Sequence, residues 1–92
     1  MTDDDALRVP IERILDLHAF HPRDIPSVVE EYLNEAHDAG FEEVRLVHGR
    51  GIGVQRARVH QVLAGHPLVA SWSDAPESHL GATVARLRPR RS

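Results

Sequence analysis

Cysteine and lysine are missing altogether from this chain of 92 residues, and long apolar runs are missing too. Without cysteine there is neither a disulfide framework nor a thiolate metal site, which fits a reducing compartment. No run approaches the roughly 20 apolar residues of a membrane span, and the acidic N-terminus lacks the basic and apolar regions of a signal peptide. The sequence therefore predicts a soluble cytoplasmic protein with no membrane partner.

Aromatic residues are scarce, at 4% of the chain. A hydrophobic core must therefore consist mainly of Val, Leu, Ile and Ala. A chain of this length holds one domain, because single cores commonly span roughly 100–150 residues. We expect that domain at residues 9–88, after a disordered acidic lead-in at residues 1–8 and before a basic tail at residues 89–92.

Acidic and basic residues are segregated along the chain: basic residues are few in the first half, and acidic residues are few in the second. Residues 1–43 carry twelve carboxylates and three arginines, a net charge of −9, whereas residues 44–92 carry two carboxylates and eight arginines, a net charge of +6. Arginine is used throughout where a chain commonly mixes arginine with lysine. The planar guanidinium suits phosphate, although genome base composition can also favour arginine. The separation of charge predicts an anionic partner for the second half.

Hydrophobic periodicity predicts the element order βαβαββ. The predicted strands are residues 9–18, 42–48, 68–73 and 82–87, and the predicted helices are residues 24–39 and 54–64. Strand–helix–strand units have right-handed crossovers and parallel strands. We therefore expect an α/β fold of the two-layer α+β type, with a four-stranded mixed sheet and both helices on one face.

The first predicted helix has recognisable ends and two different sides. Asp24 can cap it, Pro26 is tolerated in its first turn, and Gly40 ends it. Its apolar residues recur at helical spacing. The opposite side is acidic and consists of Glu30, Glu31, Glu35 and Asp38.

Two short segments at strand ends carry the candidate chemistry. The first strand ends in LDLH, and HGRGIG follows the second. If these strands are parallel neighbours, their carboxyl ends lie together, where open α/β sheets bind ligands. Gly49, Gly51 and Gly53 allow close backbone approach, and the helix beginning after them favours an anion at its N-terminus. Arg50 and Arg56 add positive charge there.

Each of these features also has an ordinary structural explanation. A strand face with the pattern Asp-x-His is commonly just solvated, a glycine-rich loop is commonly a tight turn, and His48 is compatible with a structural hydrogen bond. His18 and His21 lie across a loop that contains Pro22, and there is no cysteine to add a thiolate ligand, so no structural zinc site is predicted. Spacing alone leaves a phosphate-binding function open.

The ordered motifs resemble those of the Smr (small MutS-related) domain family in its stand-alone form. In that family a strand ending in LDLHG precedes an acidic helix, an HGKG-type loop opens the second helix, and a GGxGAT-type turn follows. Here LDLH, HGRGIG and the later GATVARL occur in that order, and the resemblance extends over residues 9–88. It implies a fold similar to the C-terminal domain of translation initiation factor three, and nicking of DNA or cleavage of RNA.

The resemblance assigns roles residue by residue. It implies that Asp16, His18 and His48 are catalytic. The nucleic-acid-binding candidates are Gly49, Arg50, Gly51, Gly53, Arg56 and Arg58.

Three positions depart from the family pattern. Ala19 replaces a glycine, Gln55 replaces a leucine, and residues 78–81 replace the glycine-rich turn and keep only Gly81. Gln55 weakens a contact between helix and sheet, whereas the other two departures bear on substrate access and catalysis more than on the fold.

A nuclease must activate a nucleophile, stabilise charge at phosphorus and protonate the leaving oxygen. Histidine titrates near neutral pH, so His18 and His48 are the predicted base and acid, and neither is expected in the apolar core. Asp16 would orient an imidazole or hold a metal ion, while Arg50 and the loop amides would stabilise the phosphorane. One carboxylate is fewer than two-metal nucleases use; Mg²⁺ or Mn²⁺ is the ion expected if one takes part.

The predicted function is therefore nucleic-acid binding with nicking or structure-dependent endonuclease activity. DNA and RNA both remain open as substrates, including branched or ribosome-associated forms. The alternative is a non-catalytic nucleic-acid- or ribosome-binding module, which needs only the basic half and the glycine loop. A third reading is an interaction domain whose acidic first helix binds a basic partner. We expect a monomer or a weak dimer.

Overall fold

The computed structural model describes residues 11–49, 53–75 and 81–90. The predicted acidic lead-in and the first two residues of the predicted first strand lie outside these ranges. So do most of residues 75–80, between the third and fourth predicted strands, and the last two residues of the predicted tail. The described elements are β1 (Ile14–Asp16), α1 (Ile25–Asp38), β2 (Glu43–Val47), α2 (Val54–Gly65), β3 (Val69–Asp74) and β4 (Ala82–Leu87). Their order is the predicted βαβαββ.

The four strands form one mixed sheet in the order β1-β2-β4-β3. β1 and β2 are parallel, with Asp16 opposite Val47. α1 provides the crossover that such a parallel pair requires. β4 is antiparallel to both of its neighbours, β2 and β3. The parallel pair places the carboxyl ends of β1 and β2 at the same edge of the sheet.

Both helices contribute to one aliphatic core against one face of the sheet. The fully buried members include Val29 and Leu33 of α1 and Val59 of α2, together with alternate strand residues such as Leu46 and Ala85. A smaller cluster on the other face consists of Val47, Ala75 and Ala82, with Val84 packed against it. The predicted two-layer α+β architecture is confirmed. Among the described residues, neither helix has the length and apolarity needed to cross a bilayer.

The predicted first strand at residues 9–18 is too long. β1 ends at Asp16, and Leu17–Ala19 form a 3-10 turn. The Asp16 carboxylate stabilises that turn by accepting a hydrogen bond from the His18 backbone N–H at 2.9 Å. As a result Leu17 enters the core, whereas His18 lies in an exposed turn and not on a strand face.

The start of α1 also differs from the prediction. Asp24 precedes the helix, but its backbone is already helical and its side chain caps nothing. A 3-10 turn, Pro22–Asp24, precedes α1 instead, and the Nδ1 atom of His21 accepts a hydrogen bond from the Arg23 backbone N–H. The end of the helix is as predicted, because Gly40 follows it with a φ of +85°.

Candidate functional site

The fold brings the two sequence motifs together at the carboxyl ends of β1 and β2. His18 and His48 both line a cavity of about 240 Å³, together with Leu17, Phe20, Pro22, Ile25 and Gln55. His18 follows β1 by two residues and His48 follows β2 directly, so the parallel register explains their proximity. The site is therefore a cleft at this edge of the sheet.

Asp16 and His18 form an exposed carboxylate–imidazole pair. The Oδ1 atom of Asp16 lies 2.7 Å from Nδ1 of His18, and it also accepts the His18 backbone N–H. These hydrogen bonds, the backbone one first, lower the pKa of Asp16 below its usual value. A carboxylate can only accept, so Nδ1 of His18 carries a proton and Nε2 of the neutral ring has a free lone pair. This arrangement suits a general base.

The Nε2 atom of His18 points at the backbone of Gly49. A Cβ atom built on Gly49 would lie 2.8 Å from that nitrogen, and the φ of Gly49 is +88°. Two independent features therefore disfavour a side chain at this position: the left-handed backbone and the close imidazole of His18. Glycine at 49 lets the first motif contact the second.

His48 is buried, contrary to the expectation that it lies outside the interior. Only 7% of its surface is exposed. Its Nδ1 donates to the Gly49 carbonyl at 2.9 Å, and its Nε2 lies 2.9 Å from Oγ1 of Thr83. Both ring nitrogens therefore have protein partners, which fixes the ring and positions the start of the glycine loop. His18 is the more accessible of the two histidines.

The first backbone N–H groups of the glycine loop also have hydrogen-bond partners within the protein. The backbone N–H groups of His48 and Gly49 both donate to the carbonyl of Gly81, at 3.1 and 3.0 Å. The Gly49 N–H therefore has an internal acceptor, and phosphate binding by the loop amides stays a prediction. Arg50 and Gly51, two of the predicted binding residues, lie outside the described ranges.

The N-terminus of α2 opens onto a larger cavity of about 430 Å³. Gly53 precedes the helix with a φ of +89°, and no side chain caps the helix N-terminus. The cavity is lined by Pro22, His48, Gly49, Gly53, Val54, Gln55, Arg56 and Arg58. Gln55, which stands where the family has leucine, accepts a hydrogen bond from Arg58 at 3.3 Å. The described members of the predicted binding set therefore share one cavity.

Arg56 has a partner that the sequence did not reveal. Its guanidinium forms an ion pair with Asp74 at the end of β3, in which Nε lies 3.0 Å from Oδ2. This ion pair, with hydrogen bonds from Thr83 and His60, lowers the pKa of Asp74 to about 2. Asp74 lies opposite Thr83 in the sheet. Sequence analysis missed Asp74, His60 and Thr83, because no spacing signal indicates that β4 lies between β2 and β3.

Comparison with known proteins identifies the family of this chain. The Smr domain family model matches residues 15–88. Endonuclease MutS2 of Thermomicrobium roseum is 39% identical over 79 residues, which is 84% of this chain and 10% of that protein. Endonuclease MutS2 of Helicobacter pylori is 40% identical over 70 residues, or 76% of this chain and 9% of that protein. The chain thus spans about a tenth of the length of these relatives.

Two solved structures share the fold. The Smr domain of Thermus thermophilus MutS2 has a TM-score of 0.76 and 33% identity, covering 83% of this chain and 98% of that one. YdaL, a stand-alone small MutS-related protein from Escherichia coli, also has a TM-score of 0.76, at 22% identity, covering 94% of this chain and 72% of that one. The matched fold, the motif residues at one cleft and the family model together show that this chain belongs to the Smr domain family.

Proposed function

We propose that this Smr domain binds nucleic acid and cleaves its phosphodiester backbone as an endonuclease. The observation that carries the proposal is the hydrogen-bonded pair of Asp16 and His18. The Nε2 atom of His18 lies against Gly49, which lines the cavity at the N-terminus of α2. The relatives bear the name endonuclease, which supports the same chemistry for this domain.

In this proposal His18 is the general base. Its Nε2 takes a proton from a water molecule or from a ribose 2′-hydroxyl, and the oxygen so activated attacks phosphorus. Asp16 orients the ring and stabilises the imidazolium that forms. The imidazolium, or a water molecule, then returns a proton to the leaving oxygen. Loss of cleavage in EDTA that added Mg²⁺ or Mn²⁺ restores would show that one of these ions takes part.

Phosphate charge is balanced by groups at the start of α2. Arg58 faces the cavity, and the helix N-terminus favours an anion. Arg56 shares its guanidinium with Asp74, so we assign it a smaller part in binding. His48 acts as a positioning residue, since it donates to the carbonyl of Gly49, and His18 lies against the Cα side of that glycine.

The alternative function is a nucleic-acid- or ribosome-binding module without catalysis. It is favoured by one specific observation. His48 and the Gly49 amide both have internal partners, so of the predicted acid–base pair of histidines only His18, with Asp16, is exposed in this cleft. Binding without cleavage of structured DNA or RNA would select this alternative.

Arg58→Ala is expected to weaken binding several-fold and to lower the salt dependence of the affinity. Loss of one phosphate contact reduces the slope of log affinity against log salt by about 1. Fluorescence anisotropy of a labelled oligonucleotide between about 50 and 200 mM salt measures both quantities.

Arg86→Ala is the matched control for this charge change. Arg86 is bonded to Glu43 at the opposite end of the sheet from the cleft. It should leave affinity and slope nearly unchanged. Equal effects of the two substitutions would contradict binding at the start of α2.

The acidic face of α1 should remain free when an oligonucleotide binds. Glu31, Glu35 and Asp38 are exposed on that helix and repel phosphate. Chemical-shift mapping of backbone amides should show changes near His18, Gly49 and Gln55. The amides of these three acidic residues should not shift. Large shifts along α1 would place the nucleic acid on the wrong side of the molecule for this proposal.

A further inference from the structure

A second cluster of titratable groups lies behind the cleft. It consists of His48 after β2, His60 on α2 and Asp74 at the end of β3, and one ligand atom from each lies within 4.8 Å of the others. All three converge on Oγ1 of Thr83. That oxygen lies 2.9 Å from Nε2 of His48, 3.1 Å from Nε2 of His60 and 3.2 Å from Oδ1 of Asp74.

The outer partners of these groups orient them toward one another. Nδ1 of His48 donates to the Gly49 carbonyl, which leaves the Nε2 lone pair of the neutral ring facing the cluster. Arg56 occupies Oδ2 of Asp74 and leaves Oδ1 directed at Nε2 of His60, 3.1 Å away. A metal ion would take the place of the proton on that nitrogen, with the proton released to solvent and the neutral ring protonated at Nδ1. Histidine and carboxylate ligands in metal sites are held by such second partners.

We propose that His48 Nε2, His60 Nε2 and Asp74 Oδ1 bind a divalent transition-metal ion of the Zn²⁺ class. Two imidazoles and one carboxylate suit Zn²⁺ or Co²⁺ better than Ca²⁺ or Mg²⁺, which prefer oxygen ligands alone. Donors about 2.1 Å from a tetrahedral ion lie roughly 3.4 Å apart. Nε2 of His60 and Oδ1 of Asp74, 3.1 Å apart, are close to that spacing, and a ring nitrogen of His48 lies within 4.8 Å of both.

The site has access to solvent and room for further ligands. A cavity of about 270 Å³ is lined by His48, Gly49, Arg56, Asp74, Ala75, Gly81 and Ala82. Three protein ligands beside an open cavity leave coordination positions for water, as in zinc sites that are not purely structural. The ion would join β2, β3 and α2 immediately behind the glycine loop. Sequence analysis considered only Asp16 as a residue that would hold a metal ion, so this site is an addition to the predicted one.

The chain carries its own reporter for this ion. The ring of His60 packs against that of Trp72 with 4.4 Å between centroids, and Trp72 is the single tryptophan. Untagged protein, freed of metal with a chelator, is titrated with Zn²⁺ and separately with Co²⁺. We expect Trp72 emission to change and saturate at one ion per chain, and bound Co²⁺ to give visible absorption.

Variants of the ligands and of a remote histidine decide the result. His60→Gln and Asp74→Asn should each weaken binding on the order of tenfold or more, with circular dichroism unchanged. His37→Gln, in the last turn of α1, should bind as the unmodified chain does. Full affinity in both ligand variants, absence of a saturable signal, or loss of binding in His18→Gln instead would overturn the inference.

This test is independent of the proposed function. Oligonucleotide affinity is measured on the unmodified chain, freed of metal, that is also used for the metal titration. If the metal signal fails while oligonucleotide binding persists, only the metal site is disproved. If nucleic-acid binding fails while Zn²⁺ still binds at one equivalent, only the proposed function is disproved.

Discussion

Gly49→Ala is expected to reduce cleavage by on the order of 100-fold while the protein remains folded. The added Cβ would lie 2.8 Å from Nε2 of His18. Because His18 is an exposed side chain, it can swing aside at little cost to the fold, but its bond to Asp16 and its position in the cleft are lost. A misplacement of about 1 Å in a catalytic group costs about that factor in rate.

Gly40→Ala provides the matched control. Gly40 has nearly the same left-handed backbone, with a φ of +85°, but nothing lies within 4 Å of its Cβ position. Both substitutions should lower the free energy of unfolding by a similar amount, on the order of 1 kcal/mol, because alanine disfavours that backbone. Only Gly49→Ala should lose cleavage. Equal activity in the two variants would show that the contact with His18 has no part in catalysis.

His18→Ala should reduce cleavage by roughly 10²- to 10⁴-fold, the usual contribution of a general base. Oligonucleotide affinity and the free energy of unfolding should change little, because the side chain is 59% exposed and lies outside the core. Asp16→Asn should give a smaller loss, since asparagine keeps an acceptor for the ring N–H but not the charge that stabilises the imidazolium.

His21→Ala is the control for this pair. His21 is also exposed, and its ring bonds to the Arg23 backbone N–H instead of to a carboxylate. Single-turnover cleavage should be retained in this variant. Retained cleavage in His18→Ala, or an equal loss in His21→Ala, would remove His18 from the role of base.

Local patterns in the sequence were sufficient to predict most of the fold. Helical spacing of apolar residues gave the buried side of α1, and β4 has the predicted bounds, Ala82–Leu87. The parallel neighbours β1 and β2 explain why the two motifs could be expected at one cleft. These features depend on periodicity and on short-range chain geometry, which a sequence displays directly.

Two features could not be predicted in the same way: side chains that bond to the backbone in place of the strand ladder, and the order of the strands in the sheet. The first strand stops early because the Asp16 carboxylate bonds to the following backbone, a local alternative to the strand ladder. His48 is buried because β4 lies beside β2 and brings Thr83 to its ring. Asp74 joins the cluster through the same pairing of β3 with β4. Contacts between residues distant in sequence depend on that strand order.

Cleavage of end-labelled DNA and RNA by the unmodified chain tests the central claim most directly. Branched and single-stranded forms of each are incubated at low salt, with and without EDTA, and the products are resolved beside a parallel binding measurement. We predict discrete internal cuts that increase with protein concentration and disappear in His18→Ala, while the complex itself persists. A stable complex that never yields cut products would contradict the claim that this Smr domain is an endonuclease.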